Sequence, residues 1–207
     1  MFAQDIDWTK LDVATFSWQK VLGGEAQHGM LILSPRAVDW LDSFMPPWPL
    51  PKLFRLTHEG RLLDGLFQGV TINTPSMLCV EDYLDALAWG ESLGGLAALQ
   101  ARADANAKVL FDWIDRTPWI ENLAVDPATR SNTSVCLLLT ARENEGAICR
   151  HIAARLEEEG VAHDIGAYRT APPGLRIWCG STIEKRDLEL LVPWLDWAYS
   201  EAAAALT

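Results

Sequence analysis

The apolar pattern near the start of the chain has the short, β-branched and aromatic runs of strands. Val13–Ser17 and Gly29–Leu33 predict two strands joined by a loop. Ser34-Pro35 then turns the chain into a short helix over Arg36–Phe44. Pro46-Pro47-Trp48-Pro49-Leu50-Pro51 forbids regular helix and predicts an extended crossing, either a surface connector or a segment at a subunit interface. Thr74 suits an N-cap and Pro75 a first helical position, so a helix is expected from there to about Trp89. Gly94-Gly95 ends it. A second helix follows from Leu96 to about Trp113, with Leu99, Ala103, Ala107 and Leu110 near one face as a buried stripe.

From Ile120 the pattern becomes α+β. Thr133–Thr140 reads as a strand. Ile148, Ile152 and Leu156 step along a helix that Gly160 stops. Ile165–Arg169 and Leu175–Cys179 read as strands around the Ala171-Pro172-Pro173-Gly174 turn. Ser181-Thr182-Ile183-Glu184 has the form of a capping box opening a last helix, which carries Leu188, Leu191, Leu195 and Ala198 and is kinked at Pro193.

Composition narrows the function classes. The chain has 207 residues, is 49% hydrophobic and carries a net charge of −11, which suits a folded protein with a substantial core. An acidic surface argues against nucleic acid or anionic membrane as partner. No 18-residue apolar run predicts a membrane span, and no basic block precedes an apolar run near Met1 as in a signal peptide. Cys79, Cys136, Cys149 and Cys179 form no C-x-x-C pair and the four histidines have no ligand spacing, so no metal is expected. Buried thiols in a reducing cytoplasm account for the cysteines. Asn132-Thr133-Ser134 matches a glycosylation acceptor, which has no meaning without secretion.

Three features carry candidate chemistry. Lys20 closes the run Val13-Ala14-Thr15-Phe16-Ser17-Trp18-Gln19-Lys20 and meets Val21-Leu22-Gly23-Gly24, so one amine sits at the mouth of a Gly-rich loop. Partial desolvation there would lower its pKa and free the amine as a nucleophile, as a Schiff-base lysine requires. A surface lysine after an edge strand fits the same spacing. Asn73 and Thr74 stand at an expected helix N-terminus, where free N–H groups suit a phosphate or simply an ordinary cap. Arg169 and Arg176 flank a turn and could face one anion with their planar forks, or be two surface arginines. His28, after the Gly loop, reads as structural.

The segment TFSWQKVLGGEAQHGMLILSPRAV resembles the cofactor-lysine region of the phosphoserine aminotransferases, which are fold-type I, class V enzymes using pyridoxal phosphate. The similarity continues through PWPLPKLFRL, TINTPSMLCVEDYLDAL, ARADANAKVL, AVDPATRSNTSVCL and APPGLRIWCG, in order. It begins about midway through the family's length. The resemblance implies an α/β fold, the C-terminal part of a fold-type I large domain followed by a small α+β domain. The expected divisions are 1–95 for the large-domain portion, 96–117 for a bridging helix and 118–207 for the small domain.

It further implies that Lys20 holds pyridoxal 5'-phosphate and moves a proton between substrate and cofactor, and that Gln19 contacts the cofactor phosphate. Asn73 and Thr74 would reach the phosphate of the other subunit of a homodimer. Arg176 would bind the substrate α-carboxylate, and Arg169 the phosphate or side-chain carboxylate. The reaction implied is transfer of the amino group of glutamate to 3-phosphooxypyruvate, giving phosphoserine in serine biosynthesis; relatives also accept a phosphorylated substrate of pyridoxine synthesis. Tyr168 departs from the family, which usually places His there, and the turn between the arginines is one residue longer. The residues that pair the pyridine nitrogen and cover the ring come, in the family, from before the lysine strand, and Asp5, Asp7 and Asp12 do not fill that role clearly. The alternatives are another class V aminotransferase, or a truncated or split, non-catalytic piece whose Met1 is an internal start and which needs an N-terminal partner. In that case apolar surface next to Val13–Ser17 should be exposed.

Overall fold

A computed structural model describes residues 2–141 and 143–206; Met1 lies outside them. Residue contacts divide the chain into two units, Ala3–Trp89 and Gly90 onward.

In the first unit, strand β1 (Val13–Ser17) pairs antiparallel with β2 (Gly29–Leu33), in the register Val13↔Leu33 through Ser17↔Gly29. These are the bounds the pattern predicts. Helix α1 (Pro35–Ser43) starts where Ser34 accepts a hydrogen bond from the Ala37 amide at 3.1 Å. A two-residue hairpin pair follows, β3 (Thr57–His58) and β4 (Arg61–Leu62). The Leu62 amide donates to Asp42 Oδ1 at 2.7 Å, which ties this hairpin to α1. Helix α2 (Met77–Ser92) begins two residues later than the sequence suggests. Its cap is Ser76, whose Oγ accepts from the Cys79 amide at 3.4 Å; Thr74 and Pro75 lie in the lead-in.

This unit has little core. Among the described residues its buried apolar side chains are Ala3, Leu22, Cys79 and Ala86. Trp40, at 73% exposed, and Phe54, at 63%, stand in solvent together with Phe44 and Trp48. Those four line a largely apolar groove of about 930 Å³, which also takes in Val13 and Leu31 of the β1–β2 hairpin. The exposed apolar surface expected beside Val13–Ser17 is present.

The second unit is packed conventionally. Helix α3 (Gly95–Ile114) follows Gly94, and both Gly94 and the helix's first residue, Gly95, take positive φ. Its Leu99, Ala103, Ala107 and Leu110 are buried, as the stripe predicts. Strands β5 (Ile120–Asn122), β6 (Ser134–Leu139) and β7 (Leu175–Trp178) form an antiparallel sheet in that order. Alternation places Val135, Leu137, Leu139, Leu175 and Ile177 in the core and turns Arg176 to the other face. Helix α4 (Glu145–Glu158) buries Ile152 and Leu156 and is followed by Gly160 at φ 68. Helix α5 (Lys185–Leu206) continues through Pro193 and buries Leu188, Leu195 and Ala198.

Two elements differ from expectation. Ile165–Arg169 is not a strand: Asp164 turns the chain at φ 53, and only an isolated bridge, Gly166↔Leu175, joins this stretch to β7. The capping-box helix starts at Lys185 rather than just after Ser181. Residues 180–184 are instead held as a turn by α3. Buried Asn106 donates to the Gly180 and Ile183 carbonyls at 3.0 and 2.8 Å, while Arg102 donates to the Ser181 carbonyl and to Glu184.

Candidate active site

Lys20 lies three residues beyond the end of β1, not at the strand end itself. It opens a single 3₁₀ turn, Lys20–Leu22, closed by Gly23 in the left-handed region with its amide on the Lys20 carbonyl at 3.0 Å. Lys20 itself has φ 69, a strained value for a residue with a Cβ. Its side chain is exposed, contrary to the partial desolvation expected, and among the described residues its amine has no ion pair. Gln19 is half-buried and makes no side-chain cap bond to the turn.

The loop is closed at its base. The Gly24 amide donates to the Trp18 carbonyl at 3.1 Å, and a Cβ on Gly24 would stand 2.8 Å from that oxygen, so glycine is required by close approach. Trp18 stacks on Tyr83 of α2, with centroids 4.5 Å apart and planes 3° from parallel. It also meets the His28 ring at 5.1 Å. His28 Nε2 accepts the Ser76 amide at 3.0 Å, so one imidazole braces both the Lys20 loop and the start of α2. That is the structural role expected of it. Burial pushes the Tyr83 phenol above its usual pKa.

Asn73 and Thr74 are exposed and precede the Ser76 cap; the Asn73 carbonyl accepts the Thr71 hydroxyl at 2.6 Å. They lie in the same unit as Lys20. The helix end itself is occupied by Ser76 and His28, so any phosphate contact from Asn73 and Thr74 would come from the lead-in rather than from a helix cap. Of the nearby acids, Asp12 is gripped by both Arg36 Nε and Nη2 at 2.7 Å and by Ser34, and Asp7 is held by Thr9 and Lys10. Hydrogen bonds from Arg36 hold the Asp12 carboxyl below the usual range.

Arg169 and Arg176 lie in the second unit. Arg169 is exposed on the 164–171 stretch. Arg176 is mostly covered, with its side chain 16% exposed. Its Nη2 reaches Asp164 Oδ2 at 3.1 Å, its Nη1 the Tyr168 hydroxyl at 3.2 Å, and its guanidinium carbon lies 4.2 Å from the Tyr168 ring centre. Its Nε is buried without a hydrogen-bond partner. The sequence reading missed Asp164, Tyr83 and Ser76. The only sequence signal for them is a polar or aromatic residue with no assigned partner.

No protein-family model matches the chain. A curated phosphoserine aminotransferase of Methanosarcina mazei is 55% identical over 199 residues, covering 96% of this chain and 53% of that relative. The chain is a relative of the phosphoserine aminotransferases. It spans about half the length of the curated relatives it matches. Among solved structures, phosphoserine aminotransferase from Bacillus circulans subsp. alkalophilus superposes with a TM-score of 0.74 at 20% identity, over 97% of this chain and 51% of that one. Pyridoxal-phosphate-bound phosphoserine aminotransferase from Trichomonas vaginalis gives 0.70 at 18% identity, over 94% and 50%. The α/β, fold-type I architecture implied by the lysine-region resemblance is therefore the fold of this chain, as a C-terminal part.

Proposed function

We propose that this chain is the lysine-bearing half of a phosphoserine aminotransferase, passing the amino group of glutamate to 3-phosphooxypyruvate to give phosphoserine and 2-oxoglutarate. The observation that carries the reading is Lys20: an exposed amine without an ion pair among the described residues, on a strained loop that Trp18, Tyr83 and His28 brace. It is supported by 55% identity to a curated relative across nearly the whole chain.

The residues fit pyridoxal phosphate as an anchor. Lys20 would hold it covalently, Gln19 would meet its phosphate, and Asn73 and Thr74 would meet the phosphate of the second subunit in a homodimer. Its bound pyridine ring supplies an electron sink for charge developing at the substrate Cα. With its covalent bond given up to the donor's amino group, Lys20 Nζ would be free to take a proton from Cα of the amino donor and, in the reverse half-reaction, to return one to Cα of the acceptor. Arg176 fixes the α-carboxylate of either substrate, and Arg169 the distal phosphate or carboxylate. The braced loop limits how far Nζ can stray from the Cα proton. Asp7 and Asp12 each face a cationic neighbour and Asp5 has no assigned role, so none of the three is put forward as the group that pairs with the pyridine nitrogen. That group is assigned to the half of the relatives' length this chain does not span, whether it belongs to the same polypeptide or another.

A second reading, a non-catalytic piece, is favoured by one observation: the aromatic groove and near-absence of core in the first unit. We place the protein in the cytoplasm on its four free cysteines, which a reducing compartment keeps as thiols.

The test is to mix the chain with the remaining N-terminal half of the Methanosarcina mazei relative and add pyridoxal phosphate. Protein-bound visible absorbance and transamination should arise only in the mixture and vanish with Lys20→Ala. Turnover that survives Lys20→Ala removes the catalytic assignment. A folded mixture that binds no cofactor favours the second reading.

A further inference from the structure

Arg176 has an internal carboxylate on it, and the fit is incomplete. A guanidinium this covered needs a counter-ion, because an unpaired buried charge is costly. Asp164 supplies it from an exposed position, its side chain 91% exposed against 16% for Arg176. Asp164 is held for this in the left-handed region at φ 53, which aspartate tolerates better than most residues. Only one carboxylate oxygen engages, at Nη2, supplemented by the Asp164 carbonyl at 3.4 Å. The adjacent Nε is left without an acceptor. The strong form of an arginine–carboxylate pair uses two parallel N–H···O bonds, and this one does not. Asp164 and Tyr168, which covers the guanidinium face, lie on one exposed stretch joined to β7 by an isolated bridge.

We propose that Asp164 is a displaceable internal competitor for Arg176, setting the affinity of that arginine for a ligand carboxylate. A carboxylate that moves the Asp164–Tyr168 stretch aside gains the second bond, at Nε, that Asp164 does not make. The cost of displacement is small, since an ion pair with one solvent-exposed member is weak and screened by salt. Asp164 acts through Arg176 and is a positioning residue. The proposal rests on the reading of Arg176 as the carboxylate-binding group.

The experiment titrates the full chain with glutarate at low ionic strength, following the Arg176 Nε–H resonance by NMR and heat by calorimetry. Asp164→Asn should lower the dissociation constant about two- to fivefold, the range an exposed ion pair supports. Asp164→Glu, which keeps the charge, should stay near wild type, whereas Asp164→Asn, which leaves the covered guanidinium without its counter-ion, should also lower thermal stability. Binding that is equal or weaker in Asp164→Asn overturns the proposal while leaving the Arg176 reading intact. Binding undiminished in Arg176→Gln, or no Nε–H response in either wild type or Asp164→Asn at millimolar glutarate, overturns both.

Discussion

Trp18 lies face to face on Tyr83, 4.5 Å between ring centres, and this contact joins the Lys20 loop to helix α2. Both residues are half-buried in a unit with few buried apolar side chains, so the stack is a large share of what holds the loop. Tyr83→Ala should therefore release the loop specifically. The Gly24 amide, bonded to the Trp18 carbonyl, should lose hydrogen-exchange protection, and the unit should lose about 2 kcal/mol, combining ring burial with the aromatic pairing contribution. Tyr83→Phe keeps the stack and should restore protection. Equal exchange in both variants would show the ring contact to be incidental.

The backbone at Lys20 makes a separate prediction. A residue with a Cβ at φ 69 carries strain of about 1 kcal/mol or more, which glycine does not feel. Lys20→Gly should consequently be about 1 kcal/mol more stable than Lys20→Ala in urea unfolding, although both remove the same amine. The relaxed backbone would confirm that the loop holds lysine in this conformation against its local preference. If the two variants unfold at the same midpoint, strain at this position is not stored.

How much of this was legible in sequence depends on the range of the interaction. Val13–Ser17 and Gly29–Leu33 were readable because alternation and the Gly loop are local, and so was the Leu99–Leu110 stripe. The α2 cap was misplaced because Thr74-Pro75 satisfies the local rule as well as Ser76 does; a distant His28 takes the Ser76 amide. Asp164 was invisible because its partner lies across a turn that pattern alone extends into a strand. Ile165–Arg169 has strand composition, yet the positive φ of Asp164 and the two prolines of the turn deny it a ladder.

In the second unit, Asp196 accepts hydrogen bonds from two indoles. Its Oδ1 lies 3.2 Å from Trp113 Nε1 and 3.0 Å from Trp119 Nε1, and Trp119 in turn stacks on Tyr199 at 4.2 Å. Trp113 is fully buried, so its N–H has nowhere else to turn. Asp196→Ala strands both donors and should cost roughly 2–3 kcal/mol, with a shift in tryptophan emission. Asp196→Asn retains an acceptor oxygen and should cost much less. A loss below about 1 kcal/mol for the alanine variant would mean that the indoles find other partners.

Two buried thiols contribute to the loss of stability at alkaline pH. Burial pushes Cys149 up to about 11 and Cys179 up to about 12 from an ordinary 9.0; nearby Glu145 adds to the first shift. Each folded-state pKa is raised above the unfolded value, so the stability linked to each thiol is fully present below about pH 9. It is lost as pH rises from there through the folded pKa, because the unfolded chain ionises first. Urea midpoints should hold steady from pH 7 to 9 and fall above it. Other groups also titrate in that range, so the informative quantity is the difference from a Cys149→Ala/Cys179→Ala variant. That variant should be less stable at pH 7 because it leaves cavities, and its curve should fall less steeply above pH 9. Parallel slopes for the two proteins would mean that the thiols ionise in the folded state as readily as in the unfolded chain.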